Sequence, residues 1–260
     1  MEIATPLKWG LAPGEHRRTD LQLQEAEMKR SFGWSGIAAL VAAAIIGAPS
    51  IAGAKADPVK YADRLTEAKQ VYQELMTSSD QKVPQELLEK AKCVVVIPDM
   101  VKAALGFGAR WGSGVMTCRD NQGGWTAPVF VSLKGGSWGL QLGAEKTDLV
   151  LFFMTERGAR SLVTRSKVTL GGNLSVAAGP LGRSGEAATD LHLNAEIYSY
   201  AKSKGLFAGI SLEGANLSVS KDANTKYYGR PVSAEQVLFL HKSPAMPPEA
   251  KDFVAALPAH

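Results

Sequence analysis

Apolar residues recur at three- and four-residue intervals through Tyr61, Leu65, Ala68, Tyr72, Leu75 and Met76, which is one stripe of an α-helix. Asp57-Pro58 supplies an N-cap followed by proline at the first helical position, so the spacing predicts a helix over 57–76. A shorter helix is expected over 84–90. The period then changes. Val94-Val95-Val96-Ile97, closed by Pro98-Asp99, reads as a buried β-strand. Strand-like pieces follow at 112–117, 126–133, 139–143 and 148–154, with Asn121-Gln122-Gly123-Gly124 as a turn. A short helix is expected over 155–164. The β pattern resumes at 173–178, 187–200, 206–212 and 215–220, and in the second of these Leu191, Leu193, Ala195, Ile197 and Ser199 alternate as in a half-buried strand. Ser233 and Gln236 form a capping box ahead of Val237-Leu238-Phe239-Leu240. Beyond the prolines at 244, 247 and 248 a short helix or tail is expected.

Composition adds the class of body these elements build. The 26 glycines stand inside alternating apolar stretches rather than in linkers, as bulges, tight turns and close backbone approaches require. No linker divides the main body, so one domain is expected over 55–243, with 244–260 as a C-terminal tail. The segment before it has another character. Met28-Lys29-Arg30 is a short basic start to the apolar run from Phe32 to Gly47, Pro49 breaks the run, and Ala52-Gly53-Ala54 has the small-x-small pattern of a signal-peptidase site. The run is short for a membrane span and ends without basic anchors. Residues 1–54 are therefore expected to be an early-called start plus a signal peptide, with Met28 as initiator and cleavage after Ala54. The expected location is periplasmic or secreted, peripheral to a membrane.

Charge narrows the partners. The net charge is +4, and residues 160–230 hold nine Lys/Arg against five Asp/Glu, a mild preference for an anionic partner in that half. The excess is too weak for nucleic acid, and no zinc-finger or RNA-binding signature occurs. Cys93 and Cys118 fit either one disulfide between neighbouring strands or two buried thiols. Two thiols without a histidine at ligand spacing make no metal site, and no cofactor is expected. Gly135-Gly136-Ser137-Trp138-Gly139 matches the nucleophile elbow of serine hydrolases, with His192, His241 or His260 and Asp148 or Asp190 as triad partners. An elbow needs a helix after the turn, whereas Leu140-Gln141-Leu142-Gly143 continues as strand, so the pattern favours a non-enzymatic, glycine-rich strand. Gly106-Phe107-Gly108-Ala109-Arg110-Trp111-Gly112 fails as a dinucleotide loop for the same reason: Ser113-Gly114-Val115-Met116 stands where a helix should open.

Aromatic and basic residues interleave at Tyr198-Ser199-Tyr200-Ala201-Lys202-Ser203-Lys204-Gly205-Leu206-Phe207 and at Lys226-Tyr227-Tyr228-Gly229-Arg230, a mixture suited to the headgroup region of a membrane or to a solvated turn beside core tyrosines. The stretch from Ala195 to Gly214, with its Ile197-Tyr198-Ser199-Tyr200-Ala201 and Ser203-Lys204-Gly205-Leu206-Phe207-Ala208-Gly209, resembles the signature of the SYLF-domain family. Gly106-Phe107-Gly108, Gly112 to Val115, Trp125-x-Ala127-Pro128, Thr147-Asp148, Ala177 to Arg183 and Tyr227-Tyr228-Gly229 agree in order. The resemblance implies lipid binding. Eukaryotic members are known as adaptors that bind phosphoinositides and in some cases bundle actin, and no catalytic residues are carried over.

The fold expected is α+β: a glycine-rich, mainly antiparallel, barrel-like β-sheet with an N-terminal helix and short flanking helices. The function expected is an exported protein that binds anionic phospholipid membranes. Arg183, Lys202 and Lys204 would meet headgroups, backed by Tyr198 and Tyr200, and the Tyr72-Leu75-Met76 end of the helix would insert. Actin is not expected as a partner in a bacterial host. The alternatives are an envelope scaffold that binds other proteins and, more remotely, a hydrolase using Ser137.

Overall fold

The apolar stripe folds as expected into α1 (Pro58–Thr77), burying Leu65, Ala68, Val71, Tyr72 and Leu75 on one face. This computed structural model describes residues 58–78, 83–181, 194–240, 242 and 244–258, with backbone alone at 105–107 and 137–142. All of them belong to the unit Lys55–His260. The expected signal segment, Arg183, Asp190 and the three candidate triad histidines lie outside the described residues.

After α2 (Gln85–Lys90), the strand pieces read separately from the sequence join into two long strands, β1 (Cys93–Cys118) and β2 (Val129–Phe153). They pair antiparallel from Cys93↔Phe153 to Met116↔Val129, with register breaks between Ile97 and Met100 and between Leu105 and Phe107. At about 3.3 Å per residue, a straight strand of the length of β1 would span roughly 85 Å. Its first and last residues are instead joined by the Cys93–Cys118 disulfide, with an S–S distance of 2.08 Å. The bond therefore closes one curled strand on itself rather than linking two neighbouring strands. Beside it, the Arg119 N–H donates to the Lys92 carbonyl at 2.8 Å. The returning half of β1 crosses its own start so closely that a Cβ on Gly114 would lie 2.0 Å from the Val96 carbonyl oxygen. Only glycine fits there, and this crossing is one reason the strands are glycine-rich.

The free edge of β2 is shared. Val131–Lys134 pair with β7 (Asn216–Val219), which carries β3 (Lys167–Thr169) on its far side. Asp148–Phe153 pair with β5 (Ile197–Ser203), which takes β4 (Val176–Ala178) in parallel and β6 (Leu206–Gly209) as a hairpin. Among the described residues seven strands form one curled half-barrel sheet, antiparallel except at the β4–β5 edge.

Alternate residues of this sheet feed two cores. Cys93, Val95, Ile97, Leu149, Leu151, Phe153, Ile197 and Ala201 fill the concave side. Val94, Val96, Val150, Phe152, Tyr198 and Tyr200 face outward beneath α1 and α6 (Pro248–Ala255), whose Ala250 and Phe253 are fully buried. Burial on both faces explains the unbroken β-branched run at 94–97. It also corrects the half-buried reading of the Ile197–Ser203 segment, because a helical layer covers the face that would otherwise be wet. The residues expected to form a tail beyond 243 fold back as part of that layer.

Three further helices close the ends. In α3 (Glu156–Arg165) the Thr155 hydroxyl accepts from the Gly158 N–H at 3.1 Å, and in α5 (Ala234–Leu238) Ser233 caps from the expected position. Helix α4 (Lys221–Tyr228) has no apolar stripe to announce it. It is tied down by the fully buried Asn224, whose Oδ1 accepts from the Phe130 N–H at 2.7 Å.

Candidate functional site

The β5–β6 connection is the most exposed part of the region singled out in the sequence. Ser203 pairs with Leu206, leaving Lys204 and Gly205 as a two-residue loop with φ of 52° and 84°. Positive φ at both positions makes this a type I′ turn, the geometry that matches the twist of a tight hairpin. Glycine suits it, and lysine tolerates it at a small cost. The turn exposes Lys204, and Leu206 two residues on is 67% exposed. An exposed leucine beside an unpaired cation is amphipathic on the scale of a single loop tip.

The tip overhangs a depression between the β5–β6 hairpin and the bend of β1 and β2. One lobe, of about 670 Å3, is lined by Lys102, Ala104, Glu145, Ser203 and Lys204. An adjoining lobe of about 380 Å3 shares Lys102, Glu145 and Ser203 and adds Met100, Arg110, Ala201, Leu206 and Ile210. Three cations thus stand around one carboxylate. The Ser203 hydroxyl donates to that carboxylate, Glu145, and no ion pair engages Lys102, Arg110 or Lys204 among the described residues. The Arg110 guanidinium reaches only the Ser211 carbonyl, at 3.5 Å, and its buried Nε has no hydrogen-bond partner. Burial holds its pKa below the usual arginine value. Among the described residues no group of His, Cys, Asp and Glu could hold a metal ion.

A family profile described as "Ysc84: Las17-binding protein actin regulator" matches residues 134–260. Over those residues the chain matches the Ysc84, or SYLF, domain family. It is 41% identical over 162 residues to "LAS seventeen-binding protein 3" of Saccharomyces cerevisiae (strain YJM789), covering 62% of this chain and 35% of that protein. It is 40% identical over 162 residues to "Protein YSC84" of Saccharomyces cerevisiae (strain ATCC 204508 / S288c), covering 62% and 34%. With "SH3 domain-containing YSC84-like protein 1" of Bos taurus the identity is 39% over 160 residues, covering 62% and 47%. The chain thus spans between a third and a half of the length of these curated relatives.

The residues that carry the SYLF resemblance are for the most part structural. Tyr200 is fully buried, its hydroxyl donating to the Pro180 carbonyl at 3.0 Å and its ring edge-on to Phe152 at 5.7 Å between centroids. Burial pushes its phenol pKa well above the ordinary value. Tyr198 lies in the same outer core, and the buried Ser199 hydroxyl donates to the Ala177 and Ile210 carbonyls. In this conformation neither tyrosine reaches the surface, and Tyr72 and Leu75 of α1 are equally buried, so the apolar contact with a bilayer expected from them is taken up by core packing. The Lys202 ammonium donates to Glu74 of α1 and lies 4.0 Å from Asp148, tying the hairpin to the helical layer. Of the expected basic residues, Lys204 alone among those described is both exposed and unpaired. Ser137 stands in the middle of β2 opposite Gly108, where continuous strand replaces the strand–turn–helix of a nucleophile elbow.

Lys102, Arg110 and Leu206 were not singled out as site residues by sequence reasoning. Arg110 sat inside the glycine-rich segment weighed only as a nucleotide loop. Lys102 fell between two predicted strands, and no periodicity shows that the bend of β1 brings both to the β5–β6 hairpin.

Proposed function

We propose that this SYLF domain docks reversibly on anionic phospholipid surfaces through the tip of the β5–β6 hairpin. The observation that carries the reading is the exposed Leu206 beside the unpaired Lys204, with Lys102 on the rim of the same depression. Each lysine near an anionic surface contributes about 1 kcal/mol. Full burial of a leucine side chain adds about 1.5–3 kcal/mol. The sum is a weak, salt-sensitive contact suited to peripheral association. We also propose export to an oxidising compartment. The signal-like segment 28–54 supports it, as does the Cys93–Cys118 disulfide, a bond that persists where thiols are not kept reduced.

The test is co-sedimentation of the folded 55–260 chain with vesicles of increasing phosphatidylglycerol content over a range of salt. Binding that rises with anionic lipid, falls with salt and is lost in Lys204→Glu and Leu206→Ser supports the reading. Failure to sediment at any composition sinks it. The second reading, a protein-interaction domain, would then lead. It is favoured by the family description, which names Las17 binding and actin regulation. Actin co-sedimentation and lipid-free pull-down with the same variants address it directly.

A further inference from the structure

Arg110 lies between an apolar wall and a cationic rim without an anion of its own. Its stem lies beside Gly135, its register partner on β2, with the Arg110 Cγ at van der Waals distance (3.5 Å) from where a Cβ would stand. The charged end then reaches the 380 Å3 lobe, where its Nε is buried and unsatisfied. A buried donor left without a partner costs free energy, more so when it is charged. Burial shifts the Arg110 pKa downward, and no carboxylate among the described residues lies within ion-pair distance of it. Glu145, the acidic group in the lobe, is hydrogen-bonded to Ser203.

Beside the polar Lys102, Thr147 and Ser211, the lobe has an apolar wall continuous with the concave core. Met100 and Ala201 are buried members of that core, and Ile210 packs against it. Leu206 and Ala208 form the outer lip. The lobe is thus the mouth of the half-barrel, with a guanidinium at one side and methyl and methylene groups along the other. A volume of 380 Å3 equals about a dozen waters of liquid and falls within the range of small-molecule sites.

We propose that this mouth binds one single-chain anionic amphiphile, its phosphate or carboxylate head on the Arg110 guanidinium and the start of its chain along Met100, Ala201 and Ile210. The planar donor fork of arginine suits an oxyanion, and Lys102 adds a second charge at the rim. This inference rests on the membrane reading for the lipid-like nature of the ligand. It adds a bound molecule where that reading needs only surface contact, and it rests on Arg110, which that reading does not use.

The test is calorimetric titration of the 55–260 chain with dodecyl phosphate below its micelle concentration, with inorganic phosphate and dodecanol as half-ligands. One molecule of dodecyl phosphate per chain, bound at least about tenfold more tightly than either half-ligand, is the expected result. Arg110→Met should weaken it about tenfold or more, with Tm held or raised and vesicle sedimentation unchanged. Ala208→Trp keeps the guanidinium and fills the lip, and should weaken it similarly. Unchanged affinity in both variants, several molecules bound per chain, or equal binding of inorganic phosphate overturns the proposal, the last by showing a plain anion site. If dodecyl phosphate binds but vesicles never sediment the protein, the mouth stands and surface docking falls. Sedimentation without amphiphile binding overturns the mouth alone.

Discussion

Reducing the Cys93–Cys118 bond and refolding the chain with its thiols free removes a constraint while changing almost no atoms. The bond closes a loop with a sequence separation of 25 residues. In the chain-entropy account, a loop of that size restricts the unfolded state by about 12 cal/mol/K, or about 3.5 kcal/mol at room temperature. Unfolding entropy of about 2.1 cal/mol/K per residue over the Lys55–His260 unit gives roughly 430 cal/mol/K, so the expected fall in Tm is about 8 °C. The assay is thermal unfolding by circular dichroism of the same preparation, oxidised and after reduction in denaturant and refolding under reductant. Native-state hydrogen exchange at Arg119 adds a local readout. Its N–H donates to Lys92 across the seam that the disulfide closes, and should exchange faster once the ends of β1 are free. A Tm difference below about 2 °C with unchanged exchange would refute the reasoning, because the pairing of β1 with β2 would then hold the curl without a crosslink.

Three other outcomes follow from groups that hold the layers together. Asn224→Ala leaves the Phe130 N–H without its acceptor in a fully buried site and should destabilise by about 1–3 kcal/mol in urea unfolding, with Asn224→Asp restoring part of the loss. Arg119 donates to the Leu88, Ala91 and Pro258 carbonyls and lies 4.5 Å from the Trp125 ring, so Arg119→Met should cost about 2–4 kcal/mol and Arg119→Lys nearly as much, since one ammonium cannot reach three carbonyls. Burial raises the phenol pKa of Tyr72, Tyr200, Tyr227 and Tyr228. A raised folded-state pKa gives stability that is complete below the unfolded value of about 10 and is lost as pH climbs above it, so the tyrosinate absorbance of these four should appear together with cooperative unfolding rather than before it.

Local signals were read well from the sequence where a single element decides them. The α1 stripe, the Thr155-led helix, the capping serine at 233 and the turn at 121–124 all stand where periodicity and cap chemistry put them. What the sequence withheld is long-range. The separate strand pieces between 94 and 154 are two bent strands, and the breaks that looked like loops, Pro98-Asp99 and the glycines after 105, are the points where they bend. Helix α4 was missed because its anchor is one buried amide rather than an apolar face. The site suffered most. Alternation showed that Tyr198 and Tyr200 share a face, but not that α1 and α6 cover it, and a lysine two residues from an exposed one proved to be paired to a helix more than 120 residues earlier.

That distribution bears on how the likeness to other SYLF proteins should be used. Ser199 and Tyr200 make hydrogen bonds that join β5 to β4 and to the chain after β6, so a substitution there disturbs the sheet whatever the domain binds. The SYLF-like motif in this stretch therefore speaks first for the scaffold. In the proposed readings, ligand chemistry falls to groups the scaffold does not need: Lys102, Arg110, Lys204 and Leu206, whose side chains make no ion pair among the described residues, Arg110 reaching one carbonyl at 3.5 Å. Leaving three cations unpaired around one carboxylate adds nothing to folding, and the buried Arg110 Nε subtracts from it. Lys202, two residues before Lys204, is by contrast paired within the chain, and that difference is why the proposed mouth is given an anion from outside the chain.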